Sequence, residues 1–188
     1  MYRAFGKRFV DLVFSVLALA ALSPLLLLVS LLILVFDFGP VIFVQQRVGQ
    51  GGAVFSFFKF RSMPVGTGDI ASDRLGRLEI GWVGRLIRRT NLDELPQLWN
   101  IIRGDMSIVG PRPSLPSQTA LVELRMASGA LRCRPGLTGL AQIRSFNGMS
   151  VERKAQFDAE YASQVSFFGD VKIVLGTFLY LAKPPPVY

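Results

Sequence analysis

Residues 12–36, LVFSVLALAALSPLLLLVSLLILVF, decide what kind of protein this chain forms. The run of 25 residues carries no charged side chain, and only three serines and one proline interrupt its apolar character. At about 1.5 Å per residue, a helix of this length reaches roughly 37 Å, which exceeds the roughly 30 Å of hydrocarbon in a bilayer. The sequence therefore predicts an N-terminal segment that is embedded in a membrane.

Ser23 and Pro24 lie in the middle of this run, where a proline removes one backbone donor at a cost of about 3 kcal/mol. Each half, 12–22 and 25–36, then reaches only about 16 to 18 Å, near the depth of one leaflet. Two alternatives follow: a kinked helix that spans the bilayer, or a re-entrant helix that enters and leaves on the same face. Basic residues flank both ends of the run, which favours two cytoplasmic ends: Arg3, Lys7 and Arg8 before it, and Arg47, Lys59 and Arg61 after it.

The overall composition describes a basic, apolar chain of the size of one domain. Of its 188 residues, 51% are hydrophobic, and 21 Lys and Arg against 13 Asp and Glu give a net charge of +8. That excess predicts an anionic partner: nucleic acid, lipid headgroups or a phosphorylated substrate. The aromatic residues fall in apolar runs rather than between basic residues along a groove, which argues against nucleic acid. The chain has no histidine and one cysteine, which excludes a histidine base and a disulfide framework.

The remaining pattern predicts an α+β fold that is mainly helical. Residues 41–49 and 53–63 are rich in β-branched and aromatic residues and are joined by Gln-Gly-Gly, which predicts a small β-hairpin. A loop over 64–76 separates this hairpin from two helices, which the apolar spacing places from Trp82 and from about Asn91.

Two later segments also predict helices. Ser150 is placed to cap a charged helix that runs to about Gln164. Residues 170–182 predict an apolar helix that is too short to span a bilayer. This segment and the Trp-containing stripe after Asn91 suit amphipathic helices in the membrane interface, and they suit core-facing helices equally well.

The stretch NLDELPQLWN, residues 91–100, places two adjacent carboxylates, Asp93 and Glu94, just after a cluster of arginines. One interpretation is helix capping, since Asn91 and Glu94 have the spacing of a capping box. The other is a phosphate site, because a helix N-terminus beside arginines attracts anions. Neighbouring helical positions point about 100° apart, so one carboxylate would attack phosphorus or bind metal while the other orients it.

Three basic side chains are candidates to contact phosphate. Lys59 and Arg61 are two apart in a predicted strand and so share one side of it, although a solvated strand face is the alternative. Arg112 stands between Pro111 and Pro113, and a stiff loop that displays one arginine suits bidentate contact with phosphate.

Five segments of the chain occur in a distinctive order. They are KRFVD at 7–11, the apolar run with its central Ser-Pro, QRVGQGGAVFSFFKFRSM at 46–63, RRTNLDELPQLWNIIRGDMSIVGPRP at 88–113 and RPGLTGLAQI at 134–143. This series closely resembles the bacterial sugar transferase family, the monotopic phosphoglycosyl transferases. The resemblance implies a re-entrant membrane helix hairpin over 1–38, broken at Ser23-Pro24, and a membrane-associated catalytic domain over 39–188.

The resemblance also implies roles for single residues. Asp93 would be the nucleophile and would lie next to Mg²⁺, and Glu94 would be its partner in an Asp-Glu dyad. The side chains that hold phosphate would be Lys59, Arg88 and Arg112.

By the same resemblance, the reaction would transfer a sugar 1-phosphate from a UDP-sugar to undecaprenyl phosphate and release UMP, as the first membrane step of glycan assembly. The protein would lie in the bacterial inner membrane with its catalytic domain on the cytoplasmic face, as a monomer or as a homodimer. The alternative is a non-catalytic membrane-anchored protein whose basic face binds anionic lipid or a partner protein.

One departure from the family concerns the sugar or nucleotide pocket. Relatives often carry an arginine just before an asparagine, whereas this chain has Phe146 before Asn147. Arg144, two positions earlier, is a candidate substitute. Asp158 and Tyr161 occupy a stretch that the family also uses near its site, so both are candidates for the same pocket.

Overall fold

The computed structural model describes residues 2–66, 80–144 and 148–181. The described part is mostly helical and contains two small two-stranded sheets, which confirms the α+β, mainly helical class. The helices are α1 (Lys7–Phe36), α2 (Trp82–Arg89), α3 (Gln97–Arg103), α4 (Thr119–Ala127), α5 (Leu140–Arg144), α6 (Val151–Ser163) and α7 (Phe167–Leu181). The strands are β1 (Ile42–Val48), β2 (Val54–Phe60), β3 (Ser107–Val109) and β4 (Gly136–Thr138).

The apolar run forms one continuous helix, α1, with Pro24 inside it. Pro24 cannot donate to the carbonyl of Ala20, four residues back, and the Ser23 hydroxyl donates to that oxygen instead at 2.8 Å. The predicted break at Ser23-Pro24 therefore does not interrupt the helix, because the serine satisfies the carbonyl that the proline leaves without a donor. The re-entrant course of α1 stays a prediction. Within the described residues, α1 is the only helix whose length and composition would allow it to cross a membrane.

The N-terminal end of α1 is fastened to the rest of the protein by charged side chains. Arg8 donates to the carbonyl of Ile102 at 2.8 Å, at the end of α3. Asp11 is almost fully buried, and its Oδ1 accepts a hydrogen bond from the amide of Ile108 at 3.0 Å, in β3. The KRFVD segment therefore anchors the start of α1 to α3 and β3.

The C-terminal half of α1 packs against the other side of the same unit. Val29 and Ile33 are buried and form a core cluster with Phe60 of β2 and with Val83 and Ile87 of α2. Both halves of the apolar helix thus contact the one body that the strands and the remaining helices form.

The predicted hairpin is confirmed. β1 and β2 pair antiparallel from Ile42 opposite Phe60 to Val48 opposite Val54. The turn contains Gly51 and Gly52, whose φ angles of 67° and 87° favour glycine over residues with a side chain.

Asn100 joins this hairpin to α3. Its Oδ1 accepts from the amide of Phe58 at 3.0 Å, and its Nδ2 donates to the carbonyl of Ser56 at 2.7 Å. The side chain is fully buried, and it satisfies two backbone groups on the free edge of β2 that would otherwise lack a partner away from water.

The second sheet was only partly foreseen. β3 and β4 pair in parallel, with Ser107 opposite Gly136 and Val109 opposite Thr138. In the sequence, the many turn-forming residues of 104–116 indicate turns alone, and residues 134–143 indicate a glycine-containing loop that leads into a short strand or turn. α4 and α5 were not predicted either, whereas the cap at Ser150, which accepts from the amide of Arg153, and the apolar helix α7 are confirmed. Most of the predicted loop over 64–76 lies outside the described residues.

Candidate active site

Asp93 and Glu94 lie in a single 3-10 turn, Leu92–Glu94, between α2 and α3. Asn91 has a left-handed φ of 55°, and no side-chain hydrogen bond caps the turn. α3 starts only at Gln97. The capping interpretation of this stretch is therefore wrong, because the helix begins after both carboxylates.

Glu94 is held in a two-pronged ion pair by Arg112. Arg112 Nη1 donates to Oε2 at 3.3 Å, and Nη2 donates to Oε1. Burial alone would raise the pKa of Glu94, but the charge and hydrogen bonds of Arg112, together with the charge of Lys59, lower it below its usual value. Glu94 is therefore an ionised, fixed partner.

Asp93 has a different environment although it is the adjacent residue. Within the described part of the chain, no hydrogen bond or ion pair holds its carboxylate. Burial and the charge of Glu94 raise its pKa from 3.8 to about 6, while Lys59, Arg112 and Arg88 act in the opposite direction. The two acids are thus divided into one that is bound and one that is available to react.

The three cations around this pair come from three separate elements. Lys59 is in β2, where its Nζ lies 5.2 Å from the centre of the Phe43 ring, and burial lowers its pKa while the charge of Asp93 raises it. Arg88 is in the last turn of α2, and Arg112 follows β3. The structure therefore brings together the predicted dyad and three of the four predicted phosphate contacts.

The loop that carries Arg112 is held by its own backbone carbonyl groups. Its two prolines have no N–H, so they can be fixed only through their oxygens. The carbonyls of the four successive residues 111–114 each accept a hydrogen bond, at 2.9, 2.9, 3.1 and 2.9 Å. In chain order, the donors are the amide of Gly136, Arg125 Nη1, Arg47 Nη1 and the amide of Val48.

Glycines allow the backbone of this loop to approach that of β4. A Cβ on Gly136 would lie 2.1 Å from the amide nitrogen of Gly110, and a Cβ on Gly110 would lie 2.3 Å from the carbonyl oxygen of Arg134. Real Cβ atoms essentially never come so close. The segment RPGLTG is thus the support on which the Arg112 loop rests.

Comparisons with known proteins identify the family of the chain. A sequence model described as bacterial sugar transferase matches residues 2–184. The chain belongs to the bacterial sugar transferase family.

Several curated members of the family are similar over most of the chain. A UDP-glucose:undecaprenyl-phosphate glucose-1-phosphate transferase of Caulobacter vibrioides is 41% identical over 180 residues, which cover 91% of this chain and 67% of the relative. An undecaprenyl-phosphate glucose phosphotransferase of Komagataeibacter xylinus is 43% identical over 184 residues, but the match covers only 35% of that longer protein. The exopolysaccharide production protein ExoY of Sinorhizobium fredii is 39% identical over 190 residues, 83% of its length.

Arg61 does not belong to the phosphate site of this sugar transferase. Its side chain is buried, with Nε donating to the carbonyl of Pro40 at 2.7 Å and Nη2 to the carbonyl of Asp37 at 3.2 Å. β2 ends at Phe60, so the alternation that placed Arg61 beside Lys59 does not extend to it. The prediction is wrong because the guanidinium closes the turn after α1.

The predicted sugar pocket is not assembled from Asp158 and Tyr161. Both side chains are buried in α6. The Tyr161 hydroxyl lies 2.9 Å from the carbonyl of Val109 and 2.9 Å from Asp170 Oδ1, and Asp158 pairs with Arg125. Through these contacts, both residues connect α6 to other elements of the core, namely β3, α7 and α4.

The remaining candidates for that pocket sit at the edge of the described structure. Arg144 is the exposed last residue of α5. Phe146 and Asn147 lie outside the described residues.

Metal binding by the protein alone has little support in this structure. Among residues 2–66, 80–144 and 148–181, no three His, Cys, Asp or Glu side chains are grouped so that they could hold a metal. Mg²⁺ typically uses one or two carboxylates and completes its shell with substrate phosphates and water. Asp93 could supply one oxygen in that shared mode, whereas both oxygens of Glu94 are bound by Arg112.

Sequence reasoning missed two residues that build the site, Arg47 and Arg125. Arg47 stands in the QRVG segment, but a hydrogen bond to a carbonyl 66 residues away leaves no local pattern. Arg125 gives only one signal, a basic residue on the buried face of α4.

Proposed function

We propose that this sugar transferase moves a sugar 1-phosphate from a UDP-sugar to undecaprenyl phosphate and releases UMP, through a covalent intermediate on Asp93. The division between the fixed Glu94 and the available Asp93 carries this proposal, because covalent transfer needs one carboxylate that can attack. The family and the relatives named for undecaprenyl-phosphate transfer support the substrates.

The chemistry requires two displacements at one phosphorus atom. In the first, an Asp93 oxygen forms a bond to the phosphorus that bears the sugar, and the bond from that phosphorus to the bridging oxygen breaks, so UMP leaves with the electron pair. In the second, an oxygen of the lipid phosphate attacks the same phosphorus and Asp93 leaves as a free carboxylate. Both attackers are anions, so neither step needs a strong base, in agreement with a chain that has no histidine.

The basic side chains stabilise the transition state in this scheme. Phosphoryl transfer depends on neutralising charge that spreads over the phosphoryl oxygens. Lys59, Arg88 and Arg112 surround Asp93 and can contact these oxygens. Asp93 and the donor's diphosphate would hold Mg²⁺, which would add Lewis-acid stabilisation of the leaving group.

We also propose a monotopic arrangement, with α1 entering and leaving one leaflet and residues 39–188 on the cytoplasmic face. Arg8 and Asp11 fix one end of α1 to the catalytic body, and Val29 and Ile33 fix the other half to it. A helix that crossed the bilayer would be expected to touch a single-sided domain at one end only. Many apolar side chains of α1 remain exposed, among them Phe14, Leu17, Leu27 and Leu28, as lipid contact requires.

Labelling of the two chain ends tests this topology. In a Cys133→Ser background, single cysteines at residue 2 and at residue 188 should both resist a membrane-impermeant thiol reagent in intact cells. Both should react after the membrane is permeabilised. Reaction of only one of them in intact cells would mean that α1 spans the bilayer.

The pH dependence of the first displacement follows from Asp93. Its pKa lies at about 6, so protonation below that value removes the attacking carboxylate. We expect the rate of UMP release to fall about tenfold per pH unit below about pH 6 and to be flat above it. Lipid phosphate also titrates near pH 6, so the measurement is a single burst of UMP without acceptor. A burst rate that stays constant to pH 4 contradicts the assignment.

A donor panel tests the proposed function itself. The purified protein with Mg²⁺ and undecaprenyl phosphate should release UMP with at least one UDP-sugar, and a sugar diphosphate lipid should accumulate in equal amount. A non-catalytic membrane anchor predicts no UMP with any donor.

A further inference from the structure

Arg125 and Asp158 form a fully buried ion pair close to the active-site loop. Arg125 Nε donates to Asp158 Oδ2 at 2.8 Å, and Nη2 lies 2.6 Å from the same oxygen, with each side chain only 2% exposed. The third arm of the guanidinium, Nη1, donates to the backbone carbonyl of Arg112 at 2.9 Å. The pair therefore connects α4 and α6 to the residue that holds Glu94.

From this geometry we infer that Arg125, held in place by Asp158, is a positioning residue that fixes the direction of the Arg112 side chain. The inference rests on the proposed function, since it concerns the same site. Arg125 touches neither carboxylate of the dyad in the described structure. It acts only through the backbone of Arg112.

The hydrogen bonds of the loop explain why this one contact matters. The carbonyls of the residues on either side of Arg112 are held by β4 and β1, so the loop is fixed at its flanks. At Arg112 itself, the carbonyl is held by Arg125. A planar guanidinium can grip a carboxylate and still direct one N–H elsewhere, which a lysine ammonium cannot do with the same geometry.

The consequence for catalysis depends on where the Arg112 guanidinium lies. It holds Glu94 by two hydrogen bonds, and the proposed scheme needs its charge beside the transferred phosphoryl group. If the guanidinium is displaced, the first displacement slows although the protein remains folded. A role of Arg125 in folding alone would lower stability, and its effect would not depend on Arg112.

The test is Arg125→Lys, which keeps the charge opposite Asp158 and removes the bond to the Arg112 carbonyl. We expect the burst rate of UMP release at pH 7 to fall about ten- to hundredfold, while the protein remains folded. In an Arg112→Lys background, the same change should lower the burst rate no further, because the guanidinium that Arg125 positions is already absent.

Leu121→Ala is the matched control, because Leu121 is buried in the same helix and the change destabilises the core. Its burst rate should stay near that of the wild type under conditions in which it is folded. If Arg125→Lys does not fold, the double variant Arg125→Met with Asp158→Val replaces the ion pair by apolar groups, which folds tolerate, and it should show the same loss of burst rate.

An unchanged burst rate in these variants, or an equal loss in Leu121→Ala or in the Arg112→Lys background, overturns the inference. That outcome differs from failure of the proposed function, in which the wild-type protein itself gives no burst.

Discussion

Asp93→Asn is expected to abolish UMP release, with a loss of at least about 10⁴-fold relative to wild type, since removal of a covalent nucleophile has effects of this size. Asparagine has nearly the same shape, and in the described structure no ion pair or hydrogen bond holds Asp93, so the fold should be unaffected. Intact mass of the wild-type protein, mixed with donor and quenched without acceptor, should show one added phosphosugar. The variant should show none.

Isotope exchange gives a second measurement of the same step. If Asp93 carries the phosphosugar, labelled UMP should enter the UDP-sugar pool in the absence of undecaprenyl phosphate, as ping-pong transfer requires. Direct transfer between donor and acceptor predicts no exchange. The Asp93→Asn variant should show no exchange either.

Glu94→Gln is the matched control, because it changes the neighbouring acid by the same chemistry. The change removes the charge that pairs with Arg112 but leaves Asp93 able to attack, so the adduct should still form, more slowly. An adduct that persists in Asp93→Asn, or that maps to another side chain, would refute the covalent scheme.

Much of this site was predictable because its residues lie in local patterns. Asp93 and Glu94 are adjacent, and Arg112 is marked by two prolines. Lys59 lies in a strand that a run of β-branched and aromatic residues already indicated. Each of these signals spans only a few residues, which is the range over which sequence patterns are informative.

The incorrect predictions concern residues whose placement depends on partners that are distant in the sequence. Arg61 was placed by strand alternation, but the carbonyls of Asp37 and Pro40 determine where it points. No pattern in the sequence around Asp158 indicates that its partner is Arg125, 33 residues away. In the same way, Pro24 predicts a break in the apolar helix, but the hydroxyl of Ser23 donates to the carbonyl that the proline leaves without a donor, and α1 continues through it.

Strands of only three residues are also difficult to predict from the sequence. β3 and β4 are too short to show the two-residue period of a strand, and their parallel pairing joins segments about 30 residues apart. The glycines of RPGLTG were visible, but the reason for them, a backbone that passes directly against the Arg112 loop, required the structure.

Gly136→Ala is therefore expected to be among the most damaging single substitutions in the catalytic body. The new methyl group would lie 2.1 Å from the amide nitrogen of Gly110 and 2.3 Å from the carbonyl of Thr138, both backbone atoms that cannot rotate away. We expect the free energy of unfolding in mixed micelles to fall by about 3 kcal/mol or more. UMP release should fall with it, because the displaced backbone is the support of Arg112.

Gly176→Ala separates this effect from a general intolerance of alanine. Its Cβ would meet the Cδ1 of Ile143 at 3.1 Å, the far end of a flexible side chain, in the middle of α7. A helical alanine is favoured over glycine by about 1 kcal/mol, so stability should stay level or rise. If Gly136→Ala is as stable and as active as Gly176→Ala, the close contact between β4 and the Arg112 loop does not exist in the working enzyme, and the rigid support that we assign to this arginine is lost with it.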